Sequence, residues 1–311
     1  MTSDGVEVWR GKVEPWEIDQ MGHLNVRFYV ARATESLTSF AAHLGMERAF
    51  YADARSTLMV REHHIRFQRE ARVSAPLVMT AGVLEMGETD ARLLFVLRHA
   101  MSGEVCASFN TLVSHVTADE GRPFLWPSAT LARTPGLTLA LPPFAVPRSI
   151  DLAPFETMAD AQTAERLSLM HIATGAFAAR DCDVFGRMEA QHFMARIASG
   201  SSTEGQSLRV AVAEHARPKP ERVGNAAVEY RLVYLAWPRA GDRFEIRTGV
   251  SDVSAGGRGL IHWMLDPTTG KPWGVAKAFL VALDLDARRM LRVPEAAQAQ
   301  LRQDLIKGLG L

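Results

Sequence analysis

One short segment concentrates groups able to do chemistry: Asp19-Gln-Met-Gly-His-Leu-Asn-Val-Arg-Phe-Tyr29. It places a carboxylate (Asp19), a turn glycine (Gly22), an imidazole (His23) and an amide (Asn25) just ahead of a stretch with helical periodicity. A carboxylate there can attack an electrophile or activate water. Unpaired N–H groups at the positive end of a helix dipole can polarise a carbonyl. An aspartate that merely caps the helix is the simpler use of the residue. The company of Gly22, His23, Asn25 and Tyr29 favours chemistry.

The same pattern recurs further on. Asp183 follows Asp19 and Gly186 follows Gly22 at one offset (183 − 19 = 186 − 22 = 164), and Ala31-Arg32 meets Ala195-Arg196 at the same spacing. Leu24 and Met188, and Tyr29 and Phe193, are apolar matches. Ala75-Pro76 aligns with Gly241-Asp242, and Ser102-Gly103-Glu104 with Thr269-Gly270-Lys271. Matches this collinear read as a tandem duplication. The positions of His23 and Asn25 hold Arg187 and Glu189 in the second copy.

The elements around the first motif follow from hydrophobic spacing. Val6–Val13 alternates as a half-buried strand. From Val26 to Leu44, Tyr29, Val30, Ala33, Leu37, Phe40, Ala41 and Leu44 recur at helical spacing. Asn25 is placed to start that helix and Gly45 to end it. Strands are expected near 58–69, 76–86, 91–100 and 105–116, with turns at Gly87–Asp90 and Ser102-Gly103. The second half predicts strands near 168–179, 227–236, 243–253, 258–265 and 273–284. Its helix near 190–199 is interrupted by Gly200–Gly205, and a last helix covers 294–308. Seven of the 15 prolines fall within 123–154, an extended linker whose Phe124, Leu125, Trp126 and Phe144 should rest against the rest of the protein. The reading is α+β, with domains at 1–122 and 161–311 joined by a linker at 123–160.

Asp19-x-x-Gly22-His23-x-Asn25-x-x-x-Tyr29 resembles the signature of hotdog-fold acyl-CoA thioesterases of the 4-hydroxybenzoyl-CoA thioesterase type. The resemblance implies two hotdog domains, each a curved antiparallel sheet wrapped around one long helix. It implies hydrolysis of an acyl-CoA thioester without metal or redox cofactor. Asp19 would be nucleophile or general base, and the amides near Gly22 and His23 the donors to the carbonyl oxygen. His23 and Asn25 belong to the same catalytic turn, and Tyr29 and Glu35 are candidates for the substrate. The second motif offers Asp183, with Gly186 and Arg187 toward the substrate, but its departures at Arg187 and Glu189 favour chemistry led by Asp19. Hotdog units work in pairs with sites at the interface, so a tandem chain would form an internal pseudo-dimer, open to further homo-oligomerisation. A non-catalytic acyl-CoA or acyl-ligand binder of the same fold is the alternative.

Other candidates are weaker. Adjacent strand positions make Glu62-His63-His64 a poor metal pair. Ala255–Gly259 lacks the dinucleotide pattern and reads as a hairpin turn. Arg66, Arg69, Arg72, Arg239 and Arg243 are candidate contacts for coenzyme A phosphates. No G-x-S-x-G elbow exists, which excludes an α/β-hydrolase, and no P-loop is present. Charge balances at 35 Lys+Arg against 35 Asp+Glu, which gives nucleic acid no attraction. Two cysteines and no apolar run of membrane-spanning length fit a cytoplasmic protein without membrane or nucleic-acid partners.

Overall fold

The computed structural model describes residues 5–311 except 20 and 201; of residues 200 and 202–205 it describes the backbone only. The chain packs as two compact units, residues up to 147 with 178–195, and residues 148–177 with 196–311.

In the first unit β1 (Val6–Lys12), α1 (Val26–His43), β2 (Ser56–Phe67), β3 (Pro76–Met86), β4 (Asp90–His99) and β5 (Val105–Thr117) follow in order. The strands pair antiparallel in the order β1-β3-β4-β5-β2. The apolar stripe of α1 buries Tyr29, Val30, Ala33, Leu37, Phe40 and Ala41, and Phe40 meets Phe95 of β4 edge-on at 6.2 Å. Leu44 caps the helix and Gly45 leaves it at φ +80°, its N–H closing on the Ala42 carbonyl at 3.0 Å.

The opposite face of the sheet is also covered. Leu94 and Val96 alternate with the residues facing α1 and pack on Ala145, Leu139 and Phe144 of the Pro-rich stretch. The Leu139 N–H donates to the Val83 carbonyl at 2.8 Å, and Arg66 Nη1 donates to the carbonyls of Phe144 and Val146 at 3.0 and 2.9 Å. Within this stretch lies a short helix, α2 (Ser128–Arg133). Glu62, His63 and His64 of β2 are all buried, although adjacent strand positions alternate between faces.

The second unit carries α3 (Ala161–Arg166), β6 (Met170–Ala176), β7 (Val223–Tyr234), β8 (Arg243–Ser254), β9 (Gly257–Leu265), β10 (Pro272–Asp284), β11 (Arg289–Leu291) and α6 (Glu295–Leu301). Its strands pair β7-β10-β9-β8-β6, the order of the first unit repeated, with β11 beside β10. Trp263, fully buried among Ile261, Leu265 and Val275, donates its indole N–H to the Gly310 carbonyl at 3.1 Å. Helix α4 (Ala190–Gly200) begins in the segment held by the first unit, and α5 (Ser202–His215) buries Leu208, Ala211 and Val212. This corrects the expected interruption at 200–205: residues 200 and 202–205 are helical, and residue 201 lies outside the described residues.

The closing helix is shorter than its expected span of 294–308. α6 ends at Leu301, a short 3-10 turn follows, and the Ile306 N–H then bonds the Val250 carbonyl at 3.0 Å. Pairing with β8 satisfies the backbone there and draws the chain out of the helix.

Candidate active site

The Asp19 turn is built by hydrogen bonds the sequence itself dictates. A 3-10 turn over Pro15–Glu17 precedes it, and the Glu17 carboxylate accepts the Glu14 N–H at 3.0 Å. Glu17 is buried and paired with Arg32 of α1, whose guanidinium also lies 4.8 Å over the Trp9 ring. Gly22 turns the chain at φ +79°, a value costly for any residue with a Cβ. The Asp19 N–H then reaches the His23 carbonyl at 2.7 Å, and the Gly22 N–H the Asp19 carbonyl at 3.0 Å.

The Asp19 carboxylate closes this loop on itself. Oδ1 accepts the Met21 and His23 N–H groups at 2.8 and 3.1 Å. Oδ2 makes no hydrogen bond or ion pair with any described residue. Asn25 acts as the N-cap, its side chain accepting the Arg27 N–H at 3.0 Å, while the Phe28 N–H bonds the Asn25 carbonyl. Of the first amides of α1, that of Val26 is left without a described partner. This corrects the expectation for the oxyanion donors: the Gly22 and His23 amides are spent on Asp19, and the donor left open is one residue inside the helix.

The remaining expected residues separate into supports and bystanders. His23 Nε2 sits 3.1 Å from Glu70 Oε2 rather than on Asp19. Tyr29 is buried, meets Phe67 edge-on at 5.0 Å, and accepts the Ala71 N–H at 3.4 Å. Burial holds its phenol far above the ordinary range; Cys106, Glu70 and Asp19 add to the effect and the Ala71 bond opposes it. It braces segment 67–71 beside the turn. Glu35 does not join the site: its side chain is 54% exposed and pairs with Arg32 at 3.3 Å on the outer side of the helix. Arg69, Arg72 and Arg243 are engaged with Glu104, Glu70 and Thr268 respectively.

The second motif repeats the backbone of the first almost bond for bond. The Asp183 N–H meets the Arg187 carbonyl at 2.7 Å, Gly186 sits at φ +75°, and Asp183 Oδ1 accepts the Phe185 and Arg187 N–H groups at 2.9 Å each. Asp181 stands for Glu17, buried, accepting the Ala178 N–H at 2.9 Å and facing His192 at 3.5 Å. The difference lies in the other oxygen. Asp183 Oδ2 receives Arg187 Nε at 3.3 Å, and the buried Arg187 guanidinium lies 4.7 Å over Phe185. Arg187 also bears on Arg61 of β2, whose cation is destabilised first by burial and then by this like charge. One motif therefore leaves a carboxylate oxygen open, and the other neutralises it.

Sequence reasoning missed Glu17 and Asp181 as the buried acids beneath each turn. Their alignment at the 164-residue offset was the available signal. It also missed the contact of Arg27 with Gln191, residues at equivalent positions of the two motifs. Arg27 Nε donates to Gln191 Oε1 at 3.4 Å, and Gln191 Nε2 donates to Glu189 Oε2 at 2.6 Å. Among the described residues no group of His, Cys, Asp and Glu is arranged to hold a metal ion, and no helix is long and apolar enough to cross a membrane.

Strand order, central helix and an acidic turn at the helix start define a hotdog architecture present twice. The chain belongs to the Thioesterase-like superfamily, whose profile matches residues 13–134 and 177–301. It is similar in fold to an acyl-ACP thioesterase from Bacteroides thetaiotaomicron VPI-5482, with 12% identity and TM-score 0.63 over 88% of this chain and 96% of that one. It is likewise similar to the 12:0-ACP thioesterase from Umbellularia californica, with 13% identity and TM-score 0.65 over 88% and 95%. No curated protein matches the sequence significantly.

Proposed function

We propose that the chain hydrolyses an acyl-CoA thioester to the free acid and coenzyme A, with the chemistry at the Asp19 turn. One observation carries this reading. Asp19 Oδ1 is fixed by two backbone amides while Oδ2 meets no partner among the described residues, whereas the same oxygen of Asp183 is taken by Arg187. A carboxylate held by one oxygen is oriented without being blocked, which is what attack or proton abstraction needs.

In this reading the thioester carbonyl oxygen faces the open Val26 N–H, where the helix dipole adds to the hydrogen bond as negative charge develops. Two routes use the same Oδ2. In the first, it attacks the carbonyl carbon, the C–S bond breaks with the electron pair leaving on the thiolate, and water cleaves the resulting anhydride. In the second, it takes a proton from a water that attacks directly, and the thiolate leaves in the same way. The thiolate is a good leaving group, so neither route requires a strong general acid. A single turnover in heavy-oxygen water separates them, because only the first places label in the Asp19 carboxylate.

Asp183, Gly186 and Arg187 form a structural counterpart rather than a second working site, and His23 serves through Glu70 to hold segment 70–72 beside the turn. The two motifs act together as an internal pair. The test is thiol release from acyl-CoAs of varied chain, with the same acyl groups offered on acyl carrier protein to separate the carriers. Release from acyl-CoA is expected. Binding of acyl-CoA without any release would overturn the reading in favour of a ligand-binding protein.

A further inference from the structure

We propose that Arg27 is a substrate-recognition residue that takes an anionic oxygen, a carboxylate on the acyl group or a phosphate of coenzyme A. The proposal rests on the reading of the Asp19 turn as the thioester site, but its observations are separate.

Arg27 is the second residue of α1 and half-buried. Its guanidinium lies 5.2 Å over the Phe28 ring, and its Nε is held by Gln191 Oε1 at 3.4 Å. Gln191 is itself braced, its amide donating to Glu189 at 2.6 Å. Glu189 is engaged with that amide through Oε2, and Arg27 makes no direct ion pair with a described residue. Neither Nη makes a hydrogen bond or ion pair with one either.

Fixing an arginine side chain forgoes a large rotamer entropy. A neutral amide at 3.4 Å and a ring contact are thin compensation for that loss. What they achieve is orientation: the inner edge of the guanidinium is pinned and the outer edge, with two N–H-bearing nitrogens in a rigid plane, is left open. A planar fork of this kind pairs best with two oxygens of a carboxylate or phosphate.

The repeat sharpens the inference. The equivalent position in the second motif is Gln191 itself (27 + 164 = 191), so the cation occurs once. It occurs in the motif whose aspartate keeps an open oxygen, and it follows directly on the open Val26 amide. A charge with no ionic partner among the described residues, placed only beside the open carboxylate, fits a substrate group better than a fold contact.

The experiment uses four thioesters: a neutral straight acyl chain and a chain of equal length ending in a carboxylate, each on coenzyme A and each on pantetheine, which lacks the phosphates. Wild type, Arg27→Gln, Arg27→Lys and Gln191→Ala are compared for KM and kcat after their melting curves are shown to match. Arg27→Gln is expected to raise KM about 10- to 100-fold, the worth of a charge-assisted hydrogen bond, for the ligands carrying the recognised anion and to leave the others unchanged. Arg27→Lys recovers only part, because it restores charge without the fork, and Gln191→Ala shows a smaller loss of the same selectivity. Dependence on the acyl carboxylate or on the coenzyme A phosphates each supports the proposal and identifies the source. An unchanged KM for all four, or an equal fall in kcat for all four, overturns it. Affinities for the four matching non-hydrolysable thioethers are read calorimetrically, so Arg27 is tested even if wild type releases no thiol. In that case the thioesterase reading fails on its own.

Discussion

Gly22 and Gly186 offer a matched pair for separating fold from chemistry. Both residues sit in the left-handed region, at φ +79° and +75°, inside turns with nearly the same hydrogen bonds. A Cβ added at Gly22 meets nothing within 4 Å, so Gly22→Ala is opposed by backbone strain alone. That strain costs roughly 1–2 kcal/mol for an L-residue held there. If the turn keeps its shape, the cost appears in stability. If it relaxes, the bonds from Met21 and His23 to Asp19 Oδ1 are lost and the carboxylate swings. A displacement of about 1 Å at a reacting group can lower the rate about 100-fold. Urea unfolding and thiol release are measured on Gly22→Ala and Gly186→Ala together. Comparable destabilisation is expected, with kcat/KM falling strongly only for Gly22→Ala. Full turnover in Gly22→Ala, or an equal fall in Gly186→Ala, would refute the reasoning that one turn alone orients a working carboxylate.

Two further expectations concern stability. Arg32→Met leaves Glu17 buried without its cation and should cost about 3 kcal/mol or more; Glu17→Gln in the same chain should recover part of that in urea unfolding, and additive losses would contradict the pairing. Burial pushes the imidazoles of His63 and His262 down to about 3. Each is therefore neutral in the fold, while the unfolded chain takes up a proton below about pH 6.5. Their contribution is whole above that pH and declines as pH falls toward 3, at about 1.4 kcal/mol per pH unit for each group. Unfolding free energies at pH 7 and pH 5.5 should differ by roughly 2–3 kcal/mol, less so in His63→Gln and His262→Gln; a flat profile would contradict the burial.

Much of this arrangement was legible because it depends on local rules. The stripe from Tyr29 to Ala41, the Asn25 cap and Gly45 specify α1 without help from distant residues. The Asp–Gly spacing marks both turns. What the sequence concealed depends on which side chains the fold brings within reach. Oδ2 of Asp183 is occupied because Arg187 bends back four residues, an outcome that spacing permits but does not require. The Gly22 and His23 amides look like free donors in a linear reading, yet the turn that presents Asp19 consumes them. Glu35 lies on the helix but is largely exposed, paired with one nitrogen of Arg32 while the other is held by buried Glu17. His63 and His64 are both buried in a sheet that also packs Leu94 and Val96 against the Pro-rich stretch, a long-range contact no strand period reveals.

The central claim is that Asp19 alone carries the chemistry. Steady-state thiol release from short, long, aromatic and carboxylate-bearing acyl-CoAs, measured for wild type, Asp19→Asn and Asp183→Asn with folding checked for each, tests it most directly. The account predicts turnover in wild type, its near-complete loss in Asp19→Asn and its retention in Asp183→Asn. Turnover that survives Asp19→Asn and disappears with Asp183→Asn would contradict it and move the chemistry to the second motif.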